Sequence, residues 1–229
     1  MANEKVWHDV DQYLNGKLVG AHDVFEEVLK EKEKEGLPAI DVSPTQGKFL
    51  HLLAKIKGAK RILEIGTLGG YSTIWLARAL PSDGKLVTLE VNKKHAEVAQ
   101  GNVKRAHIDH LVEIIVGSAL ETLPLLKEKG EPFDLIFIDA DKPNNPHYLK
   151  WALQLSKKGT VIIGDNVVRE GRVIEEDSED ESVKGIREFI DLLSGEKQVD
   201  ATALQTVGSK GYDGLVFGIV GEIKHPFFI

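Results

Sequence analysis

Two apolar runs late in the chain end in residues that can do chemistry. Phe137-Ile-Asp-Ala-Asp-Lys142 closes one, and Ile163-Gly-Asp-Asn166 closes the other. Asp139, Asp165 and Asn166 offer oxygen donors only, with no His or Cys beside them. That set suits a hard cation, Mg²⁺ or Ca²⁺, with positions left open for substrate oxygens. The competing reading is that each acid caps the loop or helix that follows it. Lys142 stands three residues after Asp139. Beside a divalent cation in a partly closed pocket its ammonium form is disfavoured, which would let it take a proton from a substrate hydroxyl. Its alternative is a solvated lysine paired with Asp141.

A second set lies earlier, in Arg61-Ile-Leu-Glu-Ile-Gly-Thr-Leu-Gly-Gly-Tyr-Ser-Thr73. Ile62, Leu63 and Ile65 read as a buried strand. Gly66, Gly69 and Gly70 break it, and a helical pattern follows through Ile74, Trp75, Leu76, Ala79 and Leu80. Strand, glycine turn and helix form the first half of a doubly wound nucleotide-binding unit. Glu64, in the strand end, suits a cationic ligand group. Glu90 closes the next apolar run, where an acid suits the two O–H donors of a ribose. The turn is G-x-x-G-G and not the G-x-G-x-x-G dinucleotide fingerprint. S-adenosylmethionine (SAM), with an ammonium, a sulfonium, a ribose and no phosphate, fits better than NAD. An ordinary tight turn with a buried strand acid is the bland alternative.

These residues need a sheet whose strand ends converge. Lys85–Glu90, Val112–Val116, Phe133–Asp139 and Thr160–Gly164 read as further strands. Helices are expected at Lys93–Ala106, Glu121–Lys129, Pro146–Leu155 and Val183–Leu193. Near-continuous apolar strands between helices indicate a parallel sheet covered on both faces. Ala201–Val207 and Leu215–Ile219, joined through Gly208–Gly214, read as an antiparallel hairpin at the sheet edge. The fold class is therefore α/β: a doubly wound, mostly parallel, seven-stranded sheet. Ligands in such sheets bind outside the carboxyl ends of the strands. The strands ending in Gly66, Asp139 and Asp165 should be neighbours there.

Ser43-Pro-Thr-Gln46 is a helix start: Ser43 caps, Pro44 fits the first turn and Gln46 completes a capping box. Before it, residues 1–40 form a helical extension to a single domain spanning 1–229. Val6, Val10, Tyr13 and Leu14 share one face, and Val24, Phe25, Val28 and Leu29 share another. The run Lys30–Glu35 reads as a solvated face, and the acidic stretch Glu175–Glu181 as a solvated, mobile segment.

The 229 residues carry 36 acids against 29 Lys and Arg, a net charge of −7, which argues against non-specific nucleic-acid binding. No cysteine is present, so a disulfide framework and thiolate metal sites are excluded. Eight histidines lack H-x-x-x-H spacing and read as surface or capping residues. Neither a signal-peptide pattern nor an apolar run of membrane length appears, so the expected setting is cytoplasmic, away from membranes.

Taken together, Leu63–Ser72, Phe137–Lys142 and Gly164–Val167 resemble the cation-dependent O-methyltransferases, which include caffeoyl-CoA and catechol O-methyltransferases. The resemblance runs from about Ser43 to Val220. It implies methyl transfer from SAM to one hydroxyl of a small catechol-type phenol, caffeic acid-like or flavonoid-like, in a homodimer. Asp139, Asp165 and Asn166 match that family's metal ligands, for Mg²⁺ with Ca²⁺ or Mn²⁺ as alternatives, and Lys142 its general base. Glu64, Gly66, Ser72, Glu90 and Asp139 match its SAM contacts. Val42 matches a backbone contact near the methionine, and Ser118 and Ala119 match the adenine segment.

Departures matter for the acceptor. Ser118 stands where relatives often carry Asp. Asn145 stands in place of a usual Tyr, and Arg169 in place of a usual aromatic. If Arg169 faces the pocket it can pair with an acceptor carboxylate; otherwise it points to solvent and pairs with Glu170 or the acidic stretch. The plant tyrosines for CoA are absent, so a small free phenol is expected. Competing functions are a tRNA hydroxyuridine O-methyltransferase, an NAD-binding oxidoreductase and a non-catalytic SAM-binding protein.

Overall fold

The architecture is taken from a computed structural model, which describes residues 2–20 and 23–221. Among these residues seven strands form one sheet: β1 (Arg61–Ile65), β2 (Lys85–Glu90), β3 (Val112–Val116), β4 (Phe133–Ile138), β5 (Ser156–Asp165), β6 (Val199–Gly208) and β7 (Gly211–Val220). Their order is β3-β2-β1-β4-β5-β7-β6. The first five run parallel, while β7 is antiparallel to both β5 and β6. β1, β4 and β5 are thus neighbours, as their carboxyl-end chemistry requires.

Among the described residues, eight α-helices accompany the sheet: α1 (Ala2–Leu14), α2 (Asp23–Lys34), α3 (Pro44–Lys57), α4 (Tyr71–Ala77), α5 (Lys93–Arg105), α6 (Ala119–Glu128), α7 (Asn145–Gln154) and α8 (Glu181–Gly195). Period-two alternation divides the strand residues between two apolar layers. Ile62, Leu135, Phe137 and Ile163 face Leu50, Tyr71, Trp75 and Val103 of α3, α4 and α5. Leu63, Ile65, Ile136 and Ile162 face Leu123, Leu149 and Phe189 of α6, α7 and α8. Glu64 belongs by the same alternation to the α4 side.

Local chemistry explains the boundaries. The Ser43 hydroxyl accepts from the backbone N–H of Gln46 at 3.2 Å, and Gly58, with φ of 63°, ends α3. The Gln46 side chain acts on Asp165, whose carboxyl it helps to hold down. The final hairpin is longer and tighter than the sequence suggests: Gly208 pairs with Gly211 across a two-residue turn, Ser209-Lys210. Asp11 of α1 accepts from the Ser209 backbone N–H at 2.7 Å, so the first helix braces this turn.

The amino-terminal helices depart from expectation in two ways. Val6, Val10 and Tyr13 stay 58%, 49% and 65% exposed, so that face of α1 is not buried within the chain. Lys32, in the charge run expected to be solvated, is 3% exposed and ion-paired with Asp41. Its aliphatic stem lies against Gly69, where any side chain would collide with it. The acidic stretch is also structured: Asp180 caps α8 through the Ser182 and Val183 N–H groups, and Arg172 pairs with Glu175 and Asp180. No helix among the described residues is long and apolar enough to cross a membrane.

Candidate active site

A cavity of about 670 Å³ opens at the carboxyl ends of the parallel strands. Its floor depends on Gly66. That residue has φ of 101°, and a side chain there would strike the Asp139 backbone carbonyl of the neighbouring strand end. Glycine alone allows β1 and β4 to close up at this level. The ladder continues through the pair, with Gly66 N–H donating to Leu89 and Asp139 N–H donating to Ile65.

At the β1–β2 end, the cavity wall carries Val42, Gly66, Ser72, Glu90, Ser118 and Ala119. Each Glu90 carboxylate oxygen accepts one backbone N–H, from Leu68 and from Asn92, both at 2.8 Å. An ionised carboxylate has about four acceptor sites, so two remain for a diol. Ser118 precedes α6, and its hydroxyl makes no capping bond to that helix.

Glu64 is not on this wall. It is fully buried, and its two oxygens accept from Ser72 Oγ at 2.7 Å, Thr73 Oγ1 at 2.5 Å and Thr88 Oγ1 at 2.7 Å. Where a direct contact with a cationic ligand was expected, Glu64 meets the cavity through hydroxyls: Ser72 lines it, and Thr88 bonds Thr67, which also lines it. Burial pushes its carboxyl up to about 7, against the opposing pull of the three hydroxyls.

At the β4–β5 end, Asp139, Lys142, Asn166 and Arg169 line the cavity. Lys142 is buried, with Nζ 2.9 Å from Asp139 Oδ1, so it pairs with Asp139 and not with Asp141. Asp141 instead accepts from the Tyr148 hydroxyl at 2.6 Å and the Asn144 amide at 2.5 Å. Asp165 sits just behind the wall, buried. Burial and then the negative charge of Asp139 push its carboxyl up, while Lys142 and Gln46 oppose the shift. Among the described residues no group of three or more His, Cys, Asp or Glu is arranged to hold a metal. The candidate set is therefore two carboxylates and the Asn166 amide. Asn145 does not reach the cavity: it is fully buried at the start of α7, although it stands where an acceptor contact was expected.

Sequence reasoning missed three contributors. His95 lines the cavity with Nδ1 3.7 Å from Glu90, where a surface role was expected; His22 and His225 lie outside the described residues. Its position in the first turn after the Glu90 strand end was the available signal. Asp41, tied to Lys32, and Tyr148, tied to Asp141, also line the cavity, and nothing in their spacing announced it.

A family model described as O-methyltransferase matches residues 16–215 of the chain. The chain belongs to the O-methyltransferase family. It is 50% identical to a catechol O-methyltransferase of Niastella koreensis over 219 residues, covering 95% of this chain and 99% of the relative. Among solved structures, it is similar to the O-methyltransferase from Bacillus cereus in complex with SAH. That match has a TM-score of 0.93 and 58% identity over 94% of this chain and 99% of the other. It is also similar to the O-methyltransferase TomG from Streptomyces achromogenes, involved in tomaymycin synthesis and solved with SAM. There the TM-score is 0.93, with 47% identity over 96% of this chain and all of the other. The family and the strand-end cavity agree: O-methyltransferase chemistry needs a methyl donor and a hydroxyl acceptor side by side, and the cavity has two chemically different ends.

Proposed function

We propose that this O-methyltransferase transfers the methyl group of SAM to one hydroxyl of a small catechol-type phenol, with a divalent cation. The observation that carries the reading is the Lys142–Asp139 pair, at 2.9 Å, beside buried Asp165 and opposite Glu90 in the same cavity. SAM supplies an electrophilic methyl on a sulfonium. Glu90 accepts from its ribose hydroxyls through the acceptor sites that Leu68 and Asn92 leave free. Ser118 and Ala119, at the start of α6, border the adenine. The backbone of Val42 and the hydroxyl of Ser72 hold the methionine end. The SAH and SAM complexes of the two related structures support this half of the reading.

Asp139, Asp165 and Asn166 would hold the cation. Their fit to it rests on two points: all three donors are oxygens, and two of them are adjacent carboxylates whose mutual repulsion a cation relieves. A bound divalent cation acidifies and orients a vicinal diol. Lys142 stands at the same wall, paired with Asp139; with a cation taking up the Asp139 carboxylate, Lys142 as the neutral amine would be the group that takes the hydroxyl proton. The cavity has room for donor and acceptor side by side, and an in-line approach of the two would supply part of the acceleration. The named activity of the Niastella relative supports the acceptor class. A homodimer belongs to the same reading, supported by the exposed Val6, Val10 and Tyr13 face of α1.

The test is a panel of phenols with SAM and Mg²⁺, read by mass spectrometry, with and without EDTA. Methylated catechols that vanish with EDTA and return with Mg²⁺ are expected. Full turnover in a chelated sample sinks the cation role, and methylation of tRNA in place of any phenol sinks the acceptor class.

A further inference from the structure

Among the described residues Arg169 is the cavity-lining cation with no carboxylate partner, and resting on the methyl-transfer reading above, we infer that it forms an anion subsite selecting acceptors with a carboxylate. Lys142 is held by Asp139. Arg169 also lines the cavity, yet its buried Nε has no hydrogen-bond partner, and among the described residues no carboxylate pairs with its guanidinium. The acids close to it in sequence are engaged or turned away. Glu175 and Asp180 pair with Arg172. Glu170 lines a separate groove against α1. A guanidinium left with free donors in a partly enclosed site matches a carboxylate in a bidentate fork.

The backbone holds Arg169 in a posture it would not choose. Arg169 and Glu170 have φ of 55° and 58°, and Asn166 has 56°. Left-handed backbone is costly for residues with a side chain, and it persists only where the surroundings impose it. Asp213 of β7 imposes it here: its Oδ1 accepts from the backbone N–H groups of Val168, Arg169 and Gly214 at 2.9, 3.0 and 2.8 Å. The backbone that carries Arg169 is therefore fixed, and its side chain lines the same cavity as Asn166.

Two anions could meet it: the methionine carboxylate of SAM or a carboxylate on the acceptor. Sheet order favours the acceptor. Glu90 and Ser118 stand at the ends of β2 and β3, and Arg169 follows β5, on the other side of β1 and β4. A donor lying from Glu90 to Ser72 fills the first side and leaves the β5 end to the acceptor.

The test compares 3,4-dihydroxybenzoate with its neutral near-isostere, 3,4-dihydroxybenzamide, on the wild-type enzyme and Arg169→Gln, with saturating Mg²⁺. The wild type should favour the acid. Arg169→Gln should lower kcat/KM for the acid by roughly 10- to 100-fold, the scale for losing a charged hydrogen-bonding partner. The amide should lose far less, so that the acid-to-amide ratio falls, and the KM for SAM should not change. Equal losses on both acceptors overturn the inference. So does a raised KM for SAM with an unchanged acid-to-amide ratio, which would give the guanidinium to the methionine carboxylate. A calorimetric titration of 3,4-dihydroxybenzoate into protein loaded with SAH and Mg²⁺ separates the two readings. Binding that weakens in Arg169→Gln without any turnover keeps the anion subsite and sinks the methyl-transfer reading. Turnover of both acceptors with an unaltered ratio, and unaltered binding, does the reverse.

Discussion

Glu64 should make the fold less stable as pH rises, and the effect can be isolated. Its carboxyl is fully buried on the α4 side of β1, and burial raises it from an ordinary value of 4.5 to about 7. Three hydroxyls, on Ser72, Thr73 and Thr88, oppose the shift without cancelling it. The folded value lies above the unfolded one, so the protonated form is the one that folding favours. The stability contributed by that form is fully present below pH 4.5 and is lost as pH climbs through 7. At ~1.36 kcal/mol per pH unit, the gap between 4.5 and about 7 amounts to about 3 kcal/mol. Glu64→Gln keeps the shape and cannot ionise. Urea unfolding at pH 5, 6, 7 and 8, without SAM, should show the variant gaining on the wild type by up to that amount. Asp165 is also shifted upward, but it titrates in both proteins and drops out of the difference. Parallel stability curves for the two proteins across this range would refute the argument. They would mean that Glu64 stays ionised at pH 5, with the hydroxyls outweighing burial.

Two other substitutions probe the cavity wall and the residue that braces it from behind. Glu90→Ala should weaken SAM binding by roughly 1.5–3 kcal/mol, the scale for a charged hydrogen-bonding partner, with calorimetry as the measurement; unchanged affinity would leave Glu90 as a clamp on the Leu68 and Asn92 backbone only. Lys32→Ala should cost about 3–5 kcal/mol in urea unfolding, because it strands the buried Asp41 without its partner; Lys32→Ala with Asp41→Asn should recover most of that loss, and no recovery would place the cost in packing against Gly69.

What could be read in the chain, and what could not, divides along a physical line. β2 and β3 match their expected spans, Lys85–Glu90 and Val112–Val116, because an apolar run between turn signals identifies a strand, whether buried as in β2 or half-buried at the sheet edge as in β3. The meeting of Gly66, Asp139 and Asn166 at one cavity was legible for the same reason: parallel topology sends all strand ends to one edge, and order then follows from a few rules. Direction at a polar residue was not legible. Glu64 and Glu90 look alike in sequence, each an acid at a strand end. Yet one is saturated by hydroxyls from α4 and β2, and the other keeps acceptor sites open to the cavity. Lys32 sits in a run of charges, and only the missing side chain of Gly69, far along the chain, makes room for its stem. Arg169 completes the contrast. Its sequence neighbours Glu170, Glu175 and Asp180 suggest neutralisation, but Arg172 takes two of them and the turn held by Asp213 carries Arg169 to the cavity. Periodicity reports which face a residue occupies. Whether a charge on that face meets protein or ligand is decided by partners distant in sequence, and the acceptor end of this cavity is where those partners matter most.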